Sequence, residues 1–525
     1  MRVLLIQPPI EDYYTTSIRN YPFGLLFIAS NIKDLCDVEI IDLRTGKREL
    51  KTPFKELEQI YTKRYSPFGL FSRYHRFGYG AEKIREIIIA RKPDLVGISN
   101  LFSTYYEEAL EVAKIVKKVN EKIITVFGGN HPTLFPEEVL KEQFVDIVIR
   151  GEGEAPFREL IEHIGNIGKY GQIEGLCYKR DGKIFLSSVN TSVSHKLDLD
   201  RQLIPRENYR YGKGYIAPVI TSRGCPYNCD FCGKPEVKFR FYNTDYVKKD
   251  IEKLINLGFD TIDIEDDFFD ITIPRNIEIL NWLKDKKIRI TAMNGIVPRI
   301  NDEAKKILKE AGFQRINLSL VDSSDALKET VNRGHFKGAD AVLNKFINTG
   351  IPIEVHFIIG LPNQSEEELI NTMLYLAEKK VLLGPSVYYL APGSKIYEKY
   401  IIEQGSINFK YARSSALYEI ENCFDAIALA TFMRLARFVN YIKSLIDEYG
   451  KDAHIKELIK VELNKRREIE GRILEALIER KIFVSYDKRD NTFYEDLSKK
   501  GIIEKFLTKL NFVKGFKSKN ICNFK

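Results

Sequence analysis

Five short apolar runs, rich in β-branched residues, alternate with amphipathic helical stretches through the first third of this chain, and that alternation restricts the fold more than anything else in it. The runs are VLLIQPP, VEIIDLR, DLVGISNL, IITVFGGNHP and DIVIRGEGE. Strands separated by helix-length segments cannot turn back as hairpins, so they pair in parallel and need helices on both faces. The pattern predicts an α/β fold that opens with a doubly wound parallel sheet over residues 1–165.

Each run stays apolar until its carboxyl end and then becomes polar or glycine-rich: Gln7, Pro8 and Pro9; Asp42; Ser99 and Asn100; Gly128, Gly129, Asn130 and His131; Gly151, Glu152, Gly153 and Glu154. Open α/β sheets bind ligands at that edge. Two adjacent glycines let backbone approach a bulky, flat ligand with no Cβ in the way. A dinucleotide would call for GxGxxG after a strand, and RGEGEAP places Pro156 where the third glycine belongs.

After a joining segment over 166–215, with a hairpin signal at Asp181-Gly182, the alternation resumes over 216–400. Six strands, IAPVITSRG, TIDIEDDFF, RITAMNG, RINLSLVD, PIEVHFIIGLP and GPSVYYLAP, are separated by helices over 244–257, 274–287, 302–312, 338–349 and 365–380. Six βα units make a partial TIM-type (β/α)6 barrel, whose chemistry sits at the carboxyl ends of its strands. The first strand runs into TSRGCPYNCDFC, with Cys225, Cys229 and Cys232 at CxxxCxxC spacing and Phe231 before the third thiol. Three thiolates suit a 4Fe-4S cluster with one iron open to a small ligand. A zinc knuckle closed by a distant histidine and chance clustering are the alternatives. Asp266, Asp267, Asn294 and Asp322 end the next three strands and Gly360-Leu361-Pro362 ends the fifth, so one rim carries groups able to hold an amine, a ribose and an adenine. The paired acids alone would also fit general acid/base work or a magnesium site.

Ser99-Asn100-Leu101 followed by Gly128-Gly129 resembles the second half of the cobalamin-binding pattern, SxL and then GG. The first half, DxHxxG, is absent, because the loop after the first strand, IEDYYTTSIRNYPFG, has no histidine. SRGCPYNCDFC, IEDDFF, FIIGLPNQSEEEL and APGSKIY, with GGNHPT and RGEGE upstream, resemble the radical S-adenosylmethionine (SAM) superfamily in its cobalamin-dependent branch, over residues 1 to about 400. The resemblance implies a Rossmann-like cobalamin-binding domain and three cysteines ligating three irons, with the SAM amine and carboxylate on the fourth. It places Phe231 near the adenine, Asp266 and Asp267 near the methionine or ribose, Asn294, Gly360 and Pro362 on the SAM rim, and Ser99, Leu101, Gly128, Gly129, Gly151 and Glu152 against the corrin. The branch usually has glutamate then serine at the fourth strand, where LSLVDSS offers Asp322 as a ribose contact. The lower face of cobalt is left to water, to nothing or to another residue, with His131 a candidate. The implied mechanism is reductive cleavage of SAM to a 5′-deoxyadenosyl radical that abstracts hydrogen from the substrate. In methyltransferase members the substrate then takes a methyl group from methylcobalamin, which a second SAM regenerates.

A chain of 525 residues exceeds one hydrophobic core, and seven cysteines are too few for a disulfide scaffold. Cys36, Cys177, Cys423 and Cys522 read as reduced thiols in a cytosol, and an anoxic one, since an open-site cluster is oxygen-sensitive. No apolar stretch is long enough to span a bilayer, and MRVLLIQPP suits a first strand rather than a signal peptide. From 401 to 525 the β signals fade, and FDAIALATFMRLARFVNYIKSLIDEYG and KELIKVELNKRREIEGRILEALIERK read as amphipathic helices that either cap the barrel mouth as a substrate determinant or cover its open edge. AIALATF could serve a lipid or a partner, although such stripes are usually core. After Glu504 the tail holds six lysines and no acid. It reads as a peripheral contact with anionic lipid, a nucleic-acid contact (the least expected partner), a dock for an electron donor such as flavodoxin or ferredoxin, or a solvated terminus.

Three functions follow: a radical methyltransferase acting on an sp3 carbon or a phosphinate; a radical cyclase or rearrangement enzyme of tetrapyrrole or membrane-lipid biosynthesis; and a non-catalytic corrinoid carrier or sensor. The first is the expected one, on a small-molecule or lipid substrate, and the cysteine spacing with the GLP and PGS motifs argues against the third.

Overall fold

The computed structural model describes residues 1–14, 21–46, 48–51, 54–191, 198–234, 238–321, 323, 339–405, 407–420, 423–463 and 468–525. Two compact units divide the chain: Met1–Lys51, His75–Phe268 and Leu390–Ala412 form the first, and Thr52–Tyr74, Phe269–Tyr389 and Arg413–Lys525 the second.

In the first unit all five expected strands form, as Arg2–Gln7, Asp37–Asp42, Leu95–Ser99, Ile124–Gly128 and Ile147–Ile149. Spatially, 37–42 lies outside 2–7, which neighbours 95–99, then 124–128, then 147–149, all in parallel. The order reverses between 2–7 and 95–99, so the switch point where such sheets take ligands lies there. Alternation along a strand explains the two-faced core. Val3 and Leu5 pack with Leu25, Ala29, Phe157 and Leu160 on one face. Leu4 and Ile6 pack with Ile84, Ile88, Val112 and Val116 on the other. Each of these buried Val, Leu, Ile and Phe side chains contributes about 1.5–3 kcal/mol.

The hairpin signalled by Asp181-Gly182 forms between Leu176–Arg180 and Lys183–Phe185, its two turn residues at φ 51° and 73° as a type I′ turn requires. It pairs antiparallel to Ile147–Ile149 and so extends the first sheet, a role the joining segment did not betray. Gly214–Val219 and Thr261–Ile264 then pair in parallel, the first two strands of the second alternation.

The second unit holds Arg289–Thr291 and a parallel trio, Ile316–Val321, Ile353–Ile359 and Leu382–Val387. Helix Pro274–Leu283 precedes the first of these strands, and Asp302–Ala311, Ala339–Ile347 and Glu366–Ala377 fall between them as expected. The 24-residue helix Ala426–Tyr449 starts on an Asp425 cap and is buried along most of its length, so the AIALATF stripe is core. Its Asn440 receives the Leu383 N–H at 2.9 Å and returns an amide hydrogen to the Leu383 carbonyl at 2.8 Å, closing an edge strand with a side chain. Lys443 is fully buried and donates to the carbonyls of Leu376, Ala377, Lys379 and Lys514, while burial lowers its pKa to about 7.

The basic tail is folded rather than frayed. Lys500–Lys509 is a helix, and Phe512–Lys514 pairs antiparallel with Ile521–Asn523. Lys505 meets Glu366 at 2.6 Å, and Lys509 and Lys499 pair with Glu367 and Asp425, so three cations near the terminus face acids of their own unit. A hairpin of Val484–Asp487 with Thr492–Glu495 also forms where helix alone was expected. Among the described residues no helix is long and apolar enough to cross a membrane.

Candidate functional site

The cysteines sit on a loop whose base is closed by antiparallel pairing of Ser222 with Phe241 and Arg223 with Arg240. Gly224, at φ 73°, turns the chain out of that base. Cys232 N–H donates to the Cys229 carbonyl at 3.1 Å, and Lys234 Nζ to the Cys225 carbonyl at 2.9 Å, which folds the three thiols into one turn. None of the three is in a disulfide: Cys229 is buried, Cys225 half-buried and Cys232 exposed. Phe231 beside it is half-buried. Among the described residues no three Cys, His, Asp or Glu converge as one metal ion would require. Thiols that each take a different iron of a cluster need no such convergence, so this donor set fits the 4Fe-4S group.

Two other motifs brace the loop. Asn130 Nδ2 donates to the Gly233 carbonyl at 3.2 Å, joining GGNHPT to the cysteine turn. From the APGSKIY stretch, Ile396 N–H donates to the Asp230 carbonyl at 3.1 Å, and Pro392 O would lie 2.3 Å from any Cβ at position 233, so only glycine fits there.

The paired acids after Thr261–Ile264 divide. Asp266 is buried and accepts from Thr221 N–H, Thr221 Oγ1 and Ser222 Oγ, each at 2.6 Å. Burial raises its pKa to about 6. It clasps the residues leading into the cysteine loop, whereas Asp267 is exposed. Sequence reasoning treated the two alike, and the threonine and serine ahead of the cysteines were the signal that could have separated them.

At the first sheet's carboxyl edge Ser99 is half-buried, and Leu101 and Phe102 stand 54% and 44% exposed. Gly128 has open space where a Cβ would be. Gly129 does not: at φ 118° a Cβ would lie 2.6 Å from the Asn100 carbonyl oxygen. One glycine of the pair thus leaves room beside exposed apolar side chains, as a flat corrin requires, and its neighbour lets two strand ends meet. His131 is fully buried, with Nδ1 on Ser103 Oγ at 2.9 Å and its ring against Tyr106, Phe135 and Phe409. Burial lowers its pKa to about 3, so it is neutral. Its Nε2 and the Tyr106 hydroxyl are buried without hydrogen-bond partners among the described residues. Beside them is a cavity of about 500 Å³ whose lining includes Ser103, Tyr106, Phe135, Glu138, Tyr397 and Phe409.

Gly151 and Glu152 serve the protein's own packing. Glu152 is 7% exposed, and its two carboxylate oxygens accept from Arg223 and Arg240. Neither arginine was singled out in the sequence. In the second unit Asn294 is exposed and Pro362 half-buried. Gly360 turns at φ 87°, its N–H donating to Gln364 Oε1 at 2.7 Å, and a Cβ there would meet Leu429 at 2.9 Å. Val321 ends its strand at a register shift with φ 70°, and Asp322 after it lies outside the described residues.

Comparison with known proteins matches this layout. The B12 binding domain matches residues 71–161 and the radical SAM superfamily residues 219–376. An uncharacterized methyltransferase of Pyrococcus horikoshii is 29% identical over 416 residues, covering 76% of this chain and 83% of that protein. The anaerobic magnesium-protoporphyrin IX monomethyl ester cyclase of Rubrivivax gelatinosus is 26% identical over 320 residues, 55% of each chain. The radical S-adenosylmethionine methyltransferase TsrM of Kitasatospora setae, solved with cobalamin and a 4Fe-4S cluster, superposes with a TM-score of 0.59 at 17% identity, covering 77% of this chain and 75% of that one. At that identity the likeness is one of fold.

Proposed function

We propose that this chain, which carries a B12-binding domain followed by a radical SAM domain, is a cobalamin-dependent radical SAM methyltransferase acting on an unactivated carbon or a phosphorus centre of a small-molecule or lipid substrate. The observation that carries this reading is one compact unit holding both the three-thiol loop and the open glycine edge, joined by the Asn130 to Gly233 hydrogen bond. The match to a methyltransferase along most of both chains supports it.

In this reading Cys225, Cys229 and Cys232 hold the cluster, and Asp267, exposed beside the clasp, reaches the SAM methionine or ribose. Phe231 flanks the adenine. Leu101, Ser99 and Gly128 receive the corrin. His131 packs the edge as a neutral ring with one of its two nitrogens protonated. When bound, the cluster with SAM supplies one-electron cleavage and the corrinoid carries a methyl group. The reductant is a small electron-transfer protein such as flavodoxin or ferredoxin, and the enzyme works in an anoxic cytoplasm.

The test is anaerobic reconstitution with iron, sulfide and cobalamin, followed by SAM and a strong reductant. Formation of both 5′-deoxyadenosine and S-adenosylhomocysteine is expected, because a methyltransferase consumes SAM in two ways. Deoxyadenosine alone favours a radical cyclase, the second reading, which rests on the match to the magnesium-protoporphyrin enzyme.

A further inference from the structure

We propose that Glu152 is a positioning residue for the iron-sulfur loop, gripping both ends of the cysteine hairpin at once and setting the electrostatic environment in which the cluster is reduced. This rests on the reading of the three cysteines as cluster ligands.

Arg223 and Arg240 are partners in the antiparallel pair that closes the loop. Both turn to one carboxylate: Arg223 Nη1 donates to Glu152 Oε2, and Arg240 Nη2 to Glu152 Oε1 at 2.7 Å. Arg223 Nη2 also reaches Glu154 Oε1 at 2.5 Å, and its guanidinium lies 4.3 Å from the centre of the Phe27 ring. The four charged side chains are only 8–18% exposed. A charge set this dry is weakly screened.

Glu152 has no freedom to serve elsewhere. Its N–H donates to the Asn190 carbonyl at 3.0 Å, and Asn190 Nδ2 donates back to the Glu152 carbonyl at 2.7 Å. Gly151 sits at φ 78° with the Asn190 oxygen 2.2 Å from where a Cβ would be, so the backbone on that side is confined as well. A carboxylate fixed through backbone and side chain is an anchor, and Arg223 lies two residues before Cys225.

The anchor is also electrostatic. Two guanidiniums and two carboxylates balance in the intact set, and reduction adds negative charge to the cluster. Glu152→Gln leaves an uncompensated positive charge beside the loop and raises the cluster's midpoint potential. Arg240→Gln leaves an uncompensated negative charge and lowers it. A brace with no electrostatic role would loosen the loop in both variants and move both potentials the same way.

The experiment reconstitutes wild type, E152Q, R240Q and R240K anaerobically, measures iron and sulfide per chain, titrates the cluster potential by EPR and measures cobalamin binding by absorbance. Expected are potential shifts of opposite sign in E152Q and R240Q, the wild-type value in R240K, and a fall in cluster retention of about tenfold in E152Q, as for other outer-shell partners, with cobalamin affinity unchanged. Shifts of the same sign, or none, overturn the proposal. So does an E152Q variant that keeps its cluster and loses cobalamin, since Glu152 would then be a corrin contact. If E152Q does not fold, R240Q against R240K still reads the sign. A wild type that takes up no iron and sulfide overturns the cluster reading itself and is distinguishable from failure at Glu152.

Discussion

Two strand ends of one sheet, equally polar in sequence, have opposite fates. The end at 128 is left open, with exposed Leu101 and Phe102 nearby and no atom within reach of a Cβ on Gly128. The end at 151 is filled by its own chain, with Asn190 on the backbone and two arginines on the Glu152 carboxylate. A polar strand end therefore marks a place where backbone and side chains must be satisfied, and only the partners decide whether a ligand or the protein does it.

The largest expected effect breaks this comparison at its catalytic side. Replacing any of Cys225, Cys229 or Cys232 with alanine is expected to abolish SAM cleavage and the broad iron-sulfur absorbance, with cobalamin binding at the open edge retained. Loss of both together would show that the edge does not stand by itself.

Within the open edge the two glycines should part company. Gly129→Ala is expected to lower unfolding stability by roughly 1–3 kcal/mol, because φ is positive and the Asn100 carbonyl is too close. Gly128→Val should leave thermal stability near wild type and weaken cobalamin binding by about tenfold, seen by absorbance titration.

Asp266 gives a pH-dependent comparison with the exposed Asp267. Its pKa is raised by burial from 3.8 to about 6, so the folded chain holds that proton more tightly than the unfolded chain. Its stabilising contribution is fully present below pH about 4 and is lost as pH rises through about 6, by roughly 3 kcal/mol in all. Denaturant unfolding between those pH values should show that slope in wild type, and Asp266→Asn should remove it. The smallest effect is at the exposed rim: Leu101→Ala should leave stability unchanged and reduce cobalamin affinity only several-fold, by about 1 kcal/mol of lost apolar contact.

The strands and helices of the βα alternation were legible because long periodic segments state their own burial. The hairpin of 484–487 with 492–495 was not, since it stands outside the repeating alternation that made the similarly short 147–149 and 261–264 readable, and its stability comes from tertiary packing. The lysine-rich tail left lipid, nucleic acid, a partner protein and solvent all open because Glu366 and Glu367, which meet Lys505 and Lys509, lie far away in sequence. The cysteine spacing was readable for the opposite reason, being wholly local. Glu152 was singled out as a cofactor contact, and its ion pair with Arg240 was not legible because that partner lies 88 residues away.

The bracing of the cysteine turn by residues 392–396 has a consequence for biosynthesis. When the three cysteines leave the ribosome, the segment that confines Gly233 and donates to the Asp230 carbonyl has yet to be made, as has the last piece of the first unit, Leu390–Ala412. Translation at about 5–20 residues per second leaves that turn half walled for roughly ten seconds or more. On the reading of these cysteines as cluster ligands, iron and sulfide delivered in that interval would meet loose thiols and those delivered afterwards a formed socket, which places cluster loading after synthesis of residue 396.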